Sequence, residues 1–354
     1  MAIGNESIMA KTKVLVVDDS ALMRQLITDI LRSQPDLEVV GAAGDPYAAW
    51  DKMKQVVPDV MTLDVEMPRM DGLTFLEKLM TNRPLPVVMV SSLTERNCDT
   101  TFRALELGAV DFVTKPKLDV ATGTVALADE LVAKVQAAAR ARVRPRRPRP
   151  AAAGPARPAA SGFQTTHKVI AIGASTGGCE ALTTVLSALP ADAPGAVAVI
   201  HMPEGFTRSF AARLDKCCSV RVSEAKDGDR VVPGHVLVAP GNYHLEVARS
   251  GAMTVVRVRG GDPVNRHRPS VDVLFQSCAR ELGPNAAGAI LTGMGDDGAR
   301  GLLAMRRAGA RTVAQNEATC VVYGMPKEAV ALGAAEDVLP LDRIAGHVLH
   351  ATAG

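Results

Sequence analysis

The chain is poor in aromatic rings. Only 3% of its 354 residues are Phe, Trp or Tyr, too few for the stacked platforms that hold bases or sugars. Cysteine is scarce too. The six residues form no CxxC pair and no spaced array, and the adjacent Cys217 and Cys218 suit neither a zinc knuckle nor a disulfide framework. Reduced structural thiols of a cytoplasmic protein are the expectation. No apolar run approaches the roughly 20 residues that cross a bilayer, so membrane insertion is not expected. The opening MAIGNESIMAKTK lacks the apolar centre of a secretory signal. Net charge is small at +2, and it is unevenly spread: residues 140–160 hold seven arginines and no acid. The remainder is mildly acidic. A basic tract confined to one segment argues against nucleic acid as the main partner, and a monomer is expected.

The same segment, RARVRPRRPRPAAAGPARPAA, is the obvious boundary. Its five prolines stop a helix and nothing in it builds a core. It reads as an extended, exposed tether, either inert or an electrostatic docking segment. The expected organisation is one domain over 12–130, a helical extension and flexible linker over 131–162, and a second domain over 163–354. On both sides of the tether, apolar strands alternate with amphipathic helices. KVLVV, LEVVGAA, DVMTL, PVVMVSS and GAVDFVTKP read as strands before it, and Ser20 as the N-cap of the helix ALMRQLITDILRS. After it come KVIAIGAS, GAVAVIHMP, AAGAILTG and RTVAQN. HVLVAPG, YHLEVAR and MTVVRVR read as strands with turns, an antiparallel extension. The fold class is α/β: two doubly wound, mostly parallel sheets, the first flavodoxin-like and the second Rossmann-like.

Ligands of such sheets bind outside the carboxyl ends of the strands, so the residues that follow each apolar run matter most. In the first half these are Asp18 and Asp19, Asp64, Ser91 and Lys115. Three converging carboxylates need a cation, and Mg²⁺, hard and oxygen-seeking, is the natural one. A lysine and a hydroxyl nearby could hold phosphoryl oxygens. The chemistry implied is phosphoryl transfer to a carboxylate.

In the second half, strands run into Ser175, His201 and the pair Asp296–Asp297. A hydroxyl, an imidazole and a carboxylate at one sheet edge are the parts of an acyl-transfer site. Ser175 lies in GASTG, a G-x-S-x-G match that sets a serine at a helix N-terminus, where developing negative charge is favoured. GASTGG lacks the spacing of a phosphate loop. Either Asp296 or Asp297 could orient an imidazole, the other capping the next helix. The order Ser…His…Asp is unlike that of α/β-hydrolases, chymotrypsin or subtilisin.

VVDDS, LDVEMPRMDG, MVSSL and TKP resemble the receiver domain of two-component response regulators, over residues 13 to about 130. The resemblance implies that Asp64 accepts phosphate from a chemotaxis histidine kinase. It also implies that Asp18, Asp19 and Asp64 hold Mg²⁺, that Ser91, Phe112 and Lys115 sense the phosphate, and that Lys115–Pro116 is a cis bond. Ser91 and Phe112 are expected to move inward on phosphorylation. GASTGG, HMPEGFT, HRPSVDVLF, LTGMGDDGA and AQNEATCVVYGMPKEA are similar to the chemotaxis protein-glutamate methylesterase family, with the receiver in matching order. That family implies Ser175 as nucleophile, His201 as base and Asp297 as orienter. Thr176 stands beside the nucleophile, and the Met294 N–H is an oxyanion donor. The implied substrates are methyl-accepting chemoreceptors, demethylated or deamidated, with no cofactor for the esterase chemistry. In the family the unphosphorylated receiver covers the catalytic cleft. A DNA-binding regulator would need a basic recognition helix, which is not visible. A small-molecule esterase under receiver control would need a deep apolar pocket.

Overall fold

A computed structural model describes residues 10–92, 95–115, 121–141 and 168–353, without the side chains of 95–97 and 121–126. The chain divides into two compact units, Met1–Arg147 and Pro148–Gly354. Most of the expected Arg/Pro/Ala tether and the Lys115–Pro116 bond lie outside the described residues.

The first unit runs β1 (Thr12–Val17), α1 (Ala21–Arg32), β2 (Leu37–Ala43), α2 (Pro46–Gln55), β3 (Val60–Asp64), α3 (Gly72–Asn82), β4 (Val87–Ser91), α4 (Glu95–Glu106), β5 (Asp111–Thr114) and α5 (Ala121–Ala139). The sheet order is β2-β1-β3-β4-β5 and every pairing is parallel. β3 and β4 are buried at every position, as a strand covered on both faces must be. The Ser20 hydroxyl accepts the Met23 N–H at 3.4 Å and starts α1. Asp45 and Asp71 cap α2 and α3 in the same way. The chain changes direction across the sheet between β1 and β3, which opens a crevice at their carboxyl ends. α5 crosses residue 130, where the helical extension is expected to begin. The helix runs on to Ala139 with Leu131, Val135 and Ala138 buried, because its apolar positions continue past 130.

The second unit runs β6 (Val169–Ala174), α6 (Gly178–Ser187), β7 (Ala196–Ile200), α7 (Phe206–Cys217), β8 (Arg221–Glu224), β9 (His235–Val238), β10 (His244–Ser250), β11 (Met253–Arg259), α8 (Val271–Glu281), β12 (Ala286–Ile290), α9 (Ala299–Arg307), β13 (Arg311–Gln315), α10 (Met325–Ala331), β14 (Asp337–Leu339) and α11 (Leu341–Thr352). Seven strands, in the order β14-β13-β12-β6-β7-β9-β8, form one parallel sheet. The expected antiparallel extension is therefore smaller than its three strands. HVLV is β9, parallel between β7 and β8; the other two expected strands, β10 and β11, pair antiparallel, from His244↔Arg259 to Ser250↔Met253. α8 buries Val271, Leu274, Phe275 and Cys278, one helical stripe. Burying such a Leu or Phe contributes roughly 1.5–3 kcal/mol. The sheet switches direction between β6 and β12, and that crevice is where the functional residues gather. Among the described residues no helix is long and apolar enough to cross a membrane.

Candidate active site and acceptor pocket

β6 and β7 lie side by side with Ala174 opposite Ile200. The next residues, Ser175 and His201, are therefore neighbours at the sheet edge. The His201 N–H donates to the Ala174 carbonyl at 3.2 Å, and the Ser175 N–H to the Thr292 carbonyl at 3.0 Å. Ser175 is half-buried at the turn into α6. The turn needs Gly177, whose φ is +75°; a Cβ there would lie 2.6 Å from Val321 Cβ. Thr176 is buried, and its carbonyl accepts the Thr292 hydroxyl at 3.0 Å. Thr292 in turn has its N–H bonded to Gln315 Oε1 at 2.8 Å. Gly293 presses so close to Ser175 that a Cβ on it would sit 2.7 Å from Ser175 Cβ. This brings the following residue, Met294, to the same place.

Beyond β12 the two acids separate. Asp296 is exposed, whereas Asp297 is 1% exposed. Asp297 Oδ2 accepts His201 Nε2–H at 2.8 Å and the Val271 N–H at 2.7 Å. Its Oδ1 accepts the Ser270 hydroxyl at 2.7 Å, Asn265 Nδ2 at 2.8 Å and the Asp272 N–H at 3.3 Å. The carboxylate thus caps the N-terminus of α8, where free N–H groups and the helix dipole favour negative charge. Burial alone would push this carboxyl up. The hydrogen bonds from His201, Asn265 and Ser270 outweigh it and hold Asp297 well below the usual carboxylate range. An ionised Asp297 fixes the proton of His201 on Nε2. His201 Nδ1 is buried and has no hydrogen-bond partner among the described residues.

Behind Asp297 lies a second buried carboxylate. Asp272 takes the Gly301 N–H at 2.6 Å and Asn265 Nδ2 at 2.7 Å. Burial raises its pKa, against the hydrogen bonds from Gly301 and Asn265. α8 fits tightly against the strand ends. A Cβ on Gly173 would lie 2.2 Å from Val271 Cγ1, and one on Gly298 2.5 Å from the same methyl.

In the first unit Arg24 reaches from α1 to the carbonyls of Asp18 and Asp19, at 2.8 Å each, and holds the end of β1. Asp18, Asp19 and Asp64 each present a carboxylate oxygen within 4.8 Å of the others. An all-oxygen, anionic set of this size suits a hard divalent cation. Lys115 Nζ bridges two of them, 2.9 Å from Asp18 Oδ2 and 2.7 Å from Asp64 Oδ2. Burial pushes the Asp64 carboxyl up to about 6 despite Lys115. Ser91 closes β4 beside Thr114 of β5, fully buried, and its Oγ accepts the Thr101 hydroxyl at 2.9 Å. Phe112 is 2% exposed and meets Phe102 edge-on with centroids 6.4 Å apart. The inward movement expected of Phe112 has little distance left to cover.

Residues 170–348 match the family model for CheB methylesterase. The chain belongs to the CheB methylesterase family. Residues 14–123 of this CheB chain match the response regulator receiver domain. A Pseudomonas aeruginosa protein-glutamate methylesterase/protein-glutamine glutaminase 2 is 61% identical over 341 residues, 96% of this chain and 97% of that one. A Salmonella typhimurium protein-glutamate methylesterase/protein-glutamine glutaminase is 56% identical with the same coverage. The crystal structure of the Thermotoga maritima CheB methylesterase catalytic domain is 38% identical. It covers 52% of this chain and 97% of that one, with a TM-score of 0.51.

In this CheB chain, reading the strand ends points to Ser175, His201, the pair Asp296–Asp297 and the acidic pocket. It missed the residues that serve them: Asn265, His267, Ser270, Asp272, Thr292 and Gln315. One signal was available. Ser270 directly precedes the amphipathic VDVLFQSCARE, the position of an N-cap. Nothing in the sequence announces that His267 stacks on His201, with ring centroids 3.6 Å apart and planes 11° from parallel.

Proposed function

We propose that this chain hydrolyses methyl esters of glutamate side chains on chemoreceptors, and deamidates receptor glutamines, under control of phosphorylation at Asp64. The observation that carries the chemistry is the buried His201–Asp297 pair at the strand end beside Ser175. With Nε2–H committed to Asp297, Nδ1 is the atom of His201 free to take a proton. Ser175 Oγ attacks the ester carbonyl while its proton passes to Nδ1. The tetrahedral oxyanion is held by backbone N–H groups, that of Met294 among them. Collapse breaks the C–O bond, and methanol leaves with the proton from His201. Water then attacks the acyl-enzyme, gives its proton to His201 and frees the glutamate carboxylate and Ser175. A primary amide follows the same course with ammonia leaving.

In the receiver, a chemotaxis histidine kinase supplies the phosphoryl group to Asp64. Mg²⁺ would be held by Asp18, Asp19 and Asp64 and would neutralise the charge that gathers as the phosphoryl group arrives. Lys115 then shifts its bond from the free carboxylate to a phosphoryl oxygen, and the Ser91 hydroxyl, which donates to the Ser92 carbonyl at 3.3 Å, turns to donate to another. The setting is the cytoplasm.

Methanol release from radiomethylated receptor membranes, with and without acetyl phosphate and Mg²⁺, tests the assignment. Ser175→Ala should lower turnover by roughly 10³-fold or more while the fold persists. A Ser175→Ala protein with native circular dichroism and near-normal release would remove Ser175 from the mechanism.

A further inference from the structure

Two side chains that support the His201–Asp297 pair come from one four-residue turn. Val264 and His267 exchange both backbone hydrogen bonds, N–H to carbonyl at 3.0 and 2.9 Å. The two residues between them are left-handed, Asn265 at φ +49° and Arg266 at φ +67°. Two successive positive φ values under such a pair make a type I′ turn. Asn tolerates this conformation. Arg does not favour it, and it persists where the surroundings over-determine it, typically at functional sites.

The turn spends this strain on two contacts. Asn265 uses its amide nitrogen twice, on Asp297 Oδ1 at 2.8 Å and on Asp272 Oδ2 at 2.7 Å. Asp297 is thereby tied to α8 by more than the helix N-terminus. Two residues later the His267 ring lies flat on the His201 ring, 3.6 Å between centroids and 11° from parallel. Asp297 holds only one edge of His201, which leaves the imidazole able to rock about that hydrogen bond. A second ring against its face removes that freedom. Reacting groups must hold their geometry closely, since a misplacement of about 1 Å can cost 10²-fold in rate.

We propose that the Val264–His267 turn is a positioning device for the esterase base: His267 sets the plane of the His201 ring while Asn265 sets the Asp297 carboxylate. The inference rests on Ser175, His201 and Asp297 acting as nucleophile, base and orienter. His267 touches no reacting atom in this account and works through His201. What it supplies is a flat, packed surface, so another flat ring should replace it and a non-planar side chain should not.

The test uses the full chain, activated with acetyl phosphate, on radiomethylated receptor membranes, with kcat and KM measured separately. His267→Ala and His267→Leu should each lower kcat by about 10- to 100-fold with KM changed by less than about 2-fold, because orientation of the base matters in the transition state. His267→Phe should recover kcat to within about 3-fold of the parent. Leu keeps the apolar bulk, so a folding failure of the Ala variant alone does not decide the matter. The proton that His201 shares with Asp297 gives an independent signature. Its downfield NMR resonance should broaden in the Leu variant and stay sharp in the Phe variant. Parental kcat in His267→Leu overturns the proposal, as does a loss confined to KM, or a Phe variant as slow as Leu. Ser175→Ala, run alongside, separates the two levels. If it retains turnover, the triad reading fails; if it is dead while His267→Leu is unimpaired, only the positioning role fails.

Discussion

Lys134 holds Phe112 from two directions: its ammonium lies 5.0 Å from the ring centroid and donates to the Phe112 carbonyl at 2.5 Å. The ammonium is also 2.8 Å from Glu130 and 3.2 Å from Asp111. Burial opposes its charge, but Asp111 and Glu130 prevail and hold the lysine above its usual range. Lys134→Met would keep the length of the chain and strip the charge, leaving Asp111 without its buried partner. The receiver should lose about 2–3 kcal/mol. Trp50, the single tryptophan of the chain, lies in α2 and reports on this unit alone. Its fluorescence should change at lower urea concentration in the variant; an unmoved midpoint would mean that the Lys134 cluster is solvated and neutral in effect.

Asp297→Asn should lower turnover by about 10³- to 10⁴-fold, since an amide no longer fixes the proton of His201 on Nε2. Asp296 is exposed, and Asp296→Asn should stay within about 2-fold of the parent. Single-turnover methanol release on both variants ranks them, and the opposite order would move the orienting role to Asp296.

The same carboxylate makes the catalytic unit sensitive to acid. The pKa of Asp297 in the folded protein is depressed below the usual 3.8. Its contribution to stability is therefore complete above the usual value and is lost as the pH falls from there through the folded value. Calorimetry of the full chain between pH 6 and pH 3 should show the transition that Trp50 does not follow dropping steeply below about pH 4. Asp297→Asn should start lower at pH 6 and decline less. Parallel curves would assign the acid sensitivity to other carboxylates.

Phosphorylation should raise esterase activity by roughly 5- to 150-fold, the range of ordinary coupling energies. Acetyl phosphate with Mg²⁺ should activate the whole chain, and Asp64→Asn should abolish the activation while leaving basal turnover in place. A fragment beginning near Phe163 should exceed the unphosphorylated whole chain and ignore acetyl phosphate. A fragment slower than the intact unphosphorylated protein would instead make the receiver a partner in assembling the site.

The strand ends were legible because a buried parallel strand is a short apolar run, and the residue that follows it stands at the ligand edge. That rule finds Ser175, His201, Asp18 and Asp64 without knowing their neighbours. Direction of pairing is not written in such a run, so HVLV read as antiparallel and proved to be a parallel interior strand. The outer strands RVSE and DVL leave no such mark, because edge strands of three or four residues with charged members carry no periodicity. Strand ends alone do not choose between Asp296 and Asp297; the family resemblance names Asp297, which is the buried one of the two. Asn265 and His267 were out of reach for a different reason. They sit in an irregular turn, and their partners are far off in the chain, Asn265 and Asp297 being 32 positions apart.

The missing side chain at Gly173 has a mechanical consequence. Val271 fills the volume where that side chain would stand, and Val271 is also the residue whose N–H binds Asp297. A methyl group added at position 173 could be accommodated only by α8 backing away, which would draw its first N–H groups off the carboxylate and release His201 in turn. Helix docking and proton transfer here share one clearance, and that clearance is less than the width of a methyl group. A library of variants at Gly173 should therefore contain few slow enzymes; its members should retain the active geometry or lose it outright.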